Sequence, residues 1–429
     1  MRIAIYNDWW SPDLVGGAEK TASEMAQYLR ISFGESNISV YTLSNSNVTI
    51  REIHENLTIV RLGSRTFRSR YSIGFLIKIF EKLRVLFGRA TRNLLISEML
   101  SFKPDVILFH NVDRLGVNFA SHFRKISTIP IIRIQHDLGD TCINRTRYHK
   151  ISKMNCVSTC TTCKLKESHF RNQSKSYDLM ISVSNFLEST FHRLEFMPRA
   201  STYGYPSHKK IEFDSSHFYF NDISTLRLGF VGRVVPEKGI EVVLKSMFLL
   251  KTLHNRNATL TVCGAGTERY FKSLRKLASR LDIELNLLGY SDSPFDTLAG
   301  KIDAVVIPSI WQEPLGRVPI EGLSRGLPCF VSEIGGLAES KLFLGGPIVY
   351  FKPEDENDLM QKMVTSLEFG IPIFKVTGGD KNINSIVENF VKTLLIDQDQ
   401  TTKVRSNYWV GYHILCRIRR ACSRGKNRK

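Results

Sequence analysis

The sequence has no run of about 18 uncharged apolar residues, so no segment reads as a membrane-spanning helix. Its first six residues run straight into a strand pattern instead of a basic stretch followed by an apolar one, so the expected compartment is the cytosol. Acidic residues are also scarce: 59 Lys and Arg face 41 Asp and Glu, a formal net charge of +18. The single Asp-x-Asp, Asp397–Gln398–Asp399, lies in a polar stretch that follows no strand pattern. That placement argues against a transferase holding a diphosphate through a metal on this motif. Gly264–Ala265–Gly266 follows a strand pattern but lacks the third glycine of a dinucleotide fingerprint, because position 269 is Arg269. A hydride-transfer enzyme is therefore not expected, and the loop reads as part of a nucleotide site.

At 429 residues the chain is long for one core and suits two α/β domains of about 200 residues each. Apolar β-rich runs alternate with helix-like periodic segments, the pattern of parallel sheets built from βαβ units. Strands are expected at 2–6, 39–42, 58–61, 105–109, 131–135 and 179–182, with a helix at 18–29 whose Ala18, Ala22, Met25, Ala26 and Leu29 share one face. A polar stretch then interrupts the pattern, which restarts with strands at 226–231, 259–263, 284–287, 304–307, 327–331 and 348–351. Helices are expected at 240–250 and 359–367. The expected organisation is an N-terminal domain over 1–206, a linker over 207–224, a second domain over 225–396 and a basic tail over 397–429.

The positive charge is concentrated. Arg61, Arg65, Arg68, Arg70, Lys78, Lys82, Arg84, Arg89 and Arg92 are opposed only by Glu81, and residues 403–429 carry nine Lys or Arg and no acid. Such patches attract anionic partners. The segments 71–87 and 408–420 interleave charge with apolar residues, which suits peripheral contact with an anionic membrane. A nucleic-acid binder would account for the charge but for none of the motifs described below, so no nucleic-acid partner is expected.

Four cysteines, Cys142, Cys156, Cys160 and Cys163, fall within 22 residues. In a cytosolic chain this spacing favours a metal site over disulfides, and four thiolates would close a structural zinc site. The alternative is a set of reduced structural thiols.

The most informative stretch is 308–336, PSIWQEPLGRVPIEGLSRGLPCFVSEIGG. Here Glu313 and Glu321 stand eight apart around a loop containing Pro314, Leu315 and Gly316 that leads into a helix. A helix start turns backbone N–H groups and a positive dipole end toward an anionic ligand. Upstream, 229–239 reads GFVGRVVPEKG, placing Arg233 and Lys238 where a strand gives way to a helix, within reach of a diphosphate. Gly16 and Gly17 follow the first strand, where backbone amides without a Cβ can approach phosphate. His136, with Asp137, ends the fifth strand at the carboxyl edge, where ligands of open α/β sheets bind.

Taken in order, Gly16–Gly17–Ala18–Glu19, His136–Asp137, the Gly-Arg…Lys-Gly element at 232–239, Glu313–Pro314–Leu315–Gly316 with Glu321, and Gly335–Gly336 with Glu339 resemble retaining glycosyltransferase family 4. The likeness runs over nearly the full length. It implies the GT-B fold, two Rossmann-like parallel-sheet domains facing across a cleft, and retaining transfer from a UDP- or GDP-sugar without a catalytic metal. It also implies a glycan or lipid-linked acceptor and a part in surface polysaccharide or lipopolysaccharide biosynthesis. The roles implied are Arg233 and Lys238 at the diphosphate, Glu313 at the donor-sugar hydroxyls, Glu321 at the ribose and His136 against the transferred sugar. Gly16, Gly17, Gly264, Gly266, Leu315 and Gly316 complete the donor site. Two alternatives remain open on the residues: a nucleotide-sugar epimerase on the same fold, and a non-catalytic partner of a transferase.

Overall fold

The computed structural model of the protein describes residues 1–12, 16–44, 46, 48–63, 89–116, 118–149, 152–208, 215–220, 224–376 and 381–401, without the side chains of 89–90 and 395–401. The basic segments 71–87 and 408–420 lie outside the described residues, and the side chains of Asp397 and Asp399 are also outside them. The chain divides into two units. One is drawn from Met1–Arg145, Thr159–Ser207 and Gly379–Lys429, the other from Thr146–Ser158 and His208–Gly378.

In the first unit the strands are β1 (Ile3–Tyr6), β2 (Ile38–Leu43), β3 (Ile50–His54), β4 (Leu57–Leu62), β5 (Val106–Phe109) and β6 (Ile131–Gln135). A hairpin of β7 (Tyr148–His149) and β8 (Met154–Asn155) interrupts them and belongs to the second unit. β9 (Leu179–Ser182) and β10 (Ser201–Tyr203) then complete the first sheet. Its order is β10-β9-β6-β5-β1-β2-β4-β3, parallel except for β3. Strands such as IAIY in β1 and VILF in β5 are buried at every position. Uninterrupted apolar runs of this kind are what a sheet covered on both faces requires. The helix Gly17–Phe33 buries Ala22, Met25, Ala26 and Leu29, one face at helical spacing.

The second unit continues with β11 (His217–Phe218), β12 (Thr225–Val231), β13 (Asn257–Cys263), β14 (Glu284–Gly289), β15 (Ala304–Ile307), β16 (Cys329–Ser332), β17 (Gly346–Phe351) and β18 (Ile371–Phe374). Its sheet runs β11-β18-β17-β16-β15-β12-β13-β14, with β18 antiparallel to β17 and β11 antiparallel to β18. The helices Ile240–His254 and Glu356–Phe369 pack on it through Val243, Leu244, Met247, Leu359 and Met363, all fully buried.

Both sheets reverse direction at their centre. From β1 the chain goes first to β2 and later to β5 on the other side; from β12 it goes to β13 and later to β15 on the other side. Loops leaving neighbouring strands in opposite directions open a crevice at the carboxyl edge, the place where open α/β sheets bind ligands.

The domain boundaries differ from expectation at three places. The helix Ile383–Thr401 lies with the first unit rather than closing the second. Its Ile383, Val387 and Val391 are fully buried, one face at a spacing of four. Ile383 N donates to Tyr205 O at 2.9 Å, Tyr205 N donates to Lys381 O at 2.7 Å, and Tyr28 Oη donates to Glu388 Oε2 at 2.5 Å. Residues 146–158, expected within the N-terminal domain, belong to the second unit, where the Asn155 side chain bridges Ile310 and Gln312. The expected linker ends in β11, which extends the second sheet.

Candidate functional site

In the second unit four loops meet at the carboxyl edge, after β12, β13, β15 and β16. Two glycines hold them at distances no side chain would allow. Gly239 has φ 71°, and a Cβ on it would lie 1.9 Å from Pro308 O. Gly264 has φ 159°, and a Cβ there would lie 1.7 Å from Gly232 O. Both φ values also disfavour any residue but glycine. Backbone hydrogen bonds fix the same contacts: Val234 N donates to Ala265 O at 2.7 Å, Ile310 N to Glu237 O at 3.1 Å and Gly336 N to Glu313 O at 2.7 Å.

Of the sequence-selected side chains, this lacing brings Lys238 and Glu313 together. Lys238 Nζ donates to Glu313 Oε1 at 2.7 Å, joining the loop after β12 to the loop after β15 across the crevice. Glu313 is buried and Lys238 largely so. Ser309 Oγ, fully buried, also donates to Glu313 Oε1, and Ser332 Oγ donates to Ser309 O at 2.6 Å. Asn155 braces the same loop from outside, donating to Ile310 O at 3.1 Å and accepting from Gln312 N at 3.0 Å. The Lys238 ammonium stands 5.7 Å from the centre of the Trp311 ring. Arg233 follows β12 and is exposed. Glu321 lies in the first turn of the helix Val318–Leu323, 3.6 Å from Arg317. Leu315 and Gly316 occupy the turn between Glu313 and that helix, and Gly266 pairs with Val234 in the loop after β13. A carboxylate held by a cation and a hydroxyl at a sheet's switch point can accept from ligand hydroxyls, while the ammonium beside it can meet phosphate oxygens.

In the first unit the edge carries a denser polar set. Gly16 precedes the helix Gly17–Phe33 in extended conformation, with φ −176°. The loops after β1, β5 and β6 supply Asp8, His110, Asn111, Asp113, His136 and Asp137. Tyr6 Oη donates to Asp8 Oδ1 at 2.8 Å, and Asn111 Nδ2 donates to Glu19 Oε1 at 3.2 Å. Arg145 reaches Asp137 at 2.6 Å, Asp113 at 2.8 Å and the Asn111 amide oxygen at 3.0 Å. Lys166 adds a second cation to Asp113 at 3.3 Å. Burial, and after it the negative charge of Asp113, pushes the Asp8 carboxyl up to about 7. Burial acts the same way on Asp113, but Arg145 and Lys166 outweigh it and hold that carboxyl low. His136 Nε2 lies 2.8 Å from His110 Nδ1. Burial, with Arg133 behind it, pushes the His110 imidazole down to about 3.

Of the four clustered cysteines, Cys163 interacts with both Cys142 and Cys160. Cys142, Cys160 and Cys163 lie in the first unit and Cys156 in the second. Cys163 Sγ accepts from Ile143 N at 3.5 Å, and Cys160 Sγ sits 3.2 Å from Thr162 Oγ1. Burial pushes the Cys163 thiol up to about 11, whereas hydrogen bonds from Thr162 and Cys163 lower that of Cys160. Among the described residues no three His, Cys, Asp or Glu side chains are grouped as a metal-ligand set.

Residues 224–341, which contain the whole Lys238–Glu313 crevice, match the family model described as glycosyl transferases group 1. The second unit carries a group 1 glycosyltransferase domain. Over the longer chain, a Klebsiella pneumoniae protein described as an uncharacterized 42.6 kDa protein in the cps region is 26% identical over 399 residues, 91% of this chain and 99% of that one. Among solved structures, sucrose-phosphate synthase from Thermosynechococcus elongatus superposes with a TM-score of 0.65 at 16% identity, covering 94% of this chain and all of its own. Anabaena HepE in complex with UDP and glucose superposes with a TM-score of 0.56 at 16% identity, covering 94% and 99%. The two Rossmann-like units of the glycosyltransferase are those of the GT-B fold.

Proposed function

We propose that this glycosyltransferase moves a sugar from a UDP- or GDP-sugar to a glycan or lipid-linked acceptor, with retention at the anomeric carbon, in the assembly of a surface polysaccharide. The observation that carries the reading is the Lys238–Glu313 pair at the switch point of the second sheet. It places a cation suited to a diphosphate beside a carboxylate suited to sugar hydroxyls. The cps-region relative and the UDP- and glucose-bound neighbour agree with the polysaccharide and donor classes.

In this reading Arg233 and Lys238 balance the charge that grows on the diphosphate as its bond to the sugar breaks. Glu313 accepts hydrogen bonds from the donor sugar, Glu321 from the ribose, and backbone amides around Gly264, Gly266, Leu315 and Gly316 face the nucleotide. Gly16 and Gly17 offer amides to phosphate from the first unit, and His136 contacts the transferred sugar. The acceptor oxygen bonds to the anomeric carbon, and its proton passes to the departing phosphate oxygen on the same face. The cytoplasmic face of a membrane is the proposed place of work, with 71–87 and 408–420 as contacts to anionic lipid.

Nucleotide release by the purified chain across a panel of UDP- and GDP-sugars tests the reading. One donor should be hydrolysed slowly without acceptor. Lys238→Ala should lower that rate by about 10²–10³-fold, and Glu321→Ala should weaken donor binding. No turnover and no thermal stabilisation by any nucleotide would defeat the proposal. Isomerised donor without transfer would assign the crevice to an epimerase instead.

A further inference from the structure

The pair of histidines at the edge of the first sheet has a proton inventory that only one arrangement satisfies well. β5 and β6 are parallel neighbours, so the residues that follow them, His110 and His136, emerge side by side. Their rings lie 5.1 Å apart at 18°, and Nδ1 of His110 meets Nε2 of His136 at 2.8 Å. At that distance one nitrogen must carry the shared hydrogen and the other must accept it. His110 is fully buried, its backbone N–H is donated to Tyr6 O at 2.9 Å, and its Nε2 has no hydrogen-bond partner among the described residues.

A neutral imidazole carries one N–H. Were that hydrogen on His110 Nε2, a buried donor would go unpaired, the costlier of the two omissions. With the hydrogen on His110 Nδ1, the buried Nε2 keeps only an unused lone pair, and Nδ1 donates to His136. The low proton affinity of His110 agrees, since a doubly protonated ring would restore the unpaired N–H.

We infer that His110 is a positioning residue that fixes the tautomer of His136, committing Nε2 of His136 as an acceptor and leaving its hydrogen on Nδ1. The consequence rests on the proposed role of His136 against the transferred sugar. His136 then meets a sugar hydroxyl as an N–H donor from Nδ1, and the wrong tautomer would present a lone pair there. His110 touches no substrate in this scheme and acts through its neighbour.

The test is nitrogen NMR on the full chain with ¹⁵N-labelled histidine, the His136 signals being identified by their loss in His136→Ala. In the unaltered protein Nε2 of His136 should show the signature of a proton-free ring nitrogen and Nδ1 that of an N–H. His110→Phe should give a mixture of the two tautomers and lower kcat by about tenfold with a smaller change in KM. His110→Asn, whose amide can donate from near the position of Nδ1, should restore the single tautomer and part of the rate. A protonated Nε2 on His136 in the unaltered protein overturns the inference, whatever the variants do. If the tautomer is as stated but His136→Ala releases nucleotide at the normal rate, the inference holds and the assignment of His136 to the sugar fails.

Discussion

At the carboxyl edge of the second sheet, main chain meets main chain: Gly239 lies on Pro308, Gly264 on Gly232, and few side chains besides Lys238, Glu313 and Ser309 converge there. At the same edge of the first sheet Tyr6, Asp8, Glu19, Asn111, Asp113, Asp137, Arg145 and Lys166 are joined by side-chain hydrogen bonds and ion pairs. The two sheets share a topology and differ in what fills its crevice. A crevice laced through backbone holds its shape against most changes of side chain elsewhere. One built from charged side chains can be retuned one residue at a time.

The sharpest way to break this contrast is to add a methyl group to each edge. Gly239→Ala sets a Cβ against Pro308 O and strains a left-handed φ, so it should cost about 2–5 kcal/mol and abolish stabilisation by nucleotide. Gly16→Ala, extended and with only Glu19 Oε2 at 3.5 Å from the new carbon among the described residues, should change stability by less than about 1 kcal/mol. Urea unfolding of the two variants checks the pair, and equal losses would remove the distinction.

The two units should also separate by pH. The Asp8 carboxyl is raised in the folded state from 3.8 to about 7, so between those values the folded chain binds more protons than the unfolded one. Stability contributed at low pH is therefore lost as pH rises toward 7, on the order of 1.4 kcal/mol for each unit of the shift. Asp8→Asn should flatten the fall in unfolding free energy between about pH 4 and about pH 7. An unchanged slope would show that the first edge is not held by a neutral Asp8.

The smallest change expected is that of Tyr28→Phe. It removes the hydroxyl that donates to Glu388 and should lower the first unit's stability by about 1 kcal/mol, leaving nucleotide binding by the second unit unaltered. A matching loss of nucleotide binding would mean that the helix Ile383–Thr401 serves both units.

How far the sequence could be read follows from the same contrast. Runs such as AVVI at 304–307 and VILF at 106–109 announce buried strands because both faces of the sheet are covered. The group 1 crevice is compact in sequence, with glycines and charged residues close enough along the chain to read as motifs. The strand Ile50–His54 is not legible because it is an edge strand with no buried position, and Ile371–Phe374 because it is only four residues long, contains Pro372 and pairs antiparallel. Asn155 stands among the cysteines in sequence, and nothing local marks its amide as the brace of a loop some 155 residues away. Of the network of Asp8, Glu19, Asn111, Asp137 and Arg145, only Glu19 and Asp137 stand in motifs, and their linkage is not legible. Its members are common residue types in four separate stretches, and only the folded sheet makes them neighbours. One signal was available: two polar residues, His110 and Asn111, directly after a fully apolar strand.

The return of the helix Ile383–Thr401 to the first unit has a consequence for how the protein is made. A ribosome releases the strands of the first sheet early, yet the helix that covers Gly204 and pairs with Tyr28 emerges only after every strand of the second sheet. During synthesis the second unit therefore has its whole sheet in hand while the first still waits for its last piece, reversing the usual order in which N-terminal domains finish first.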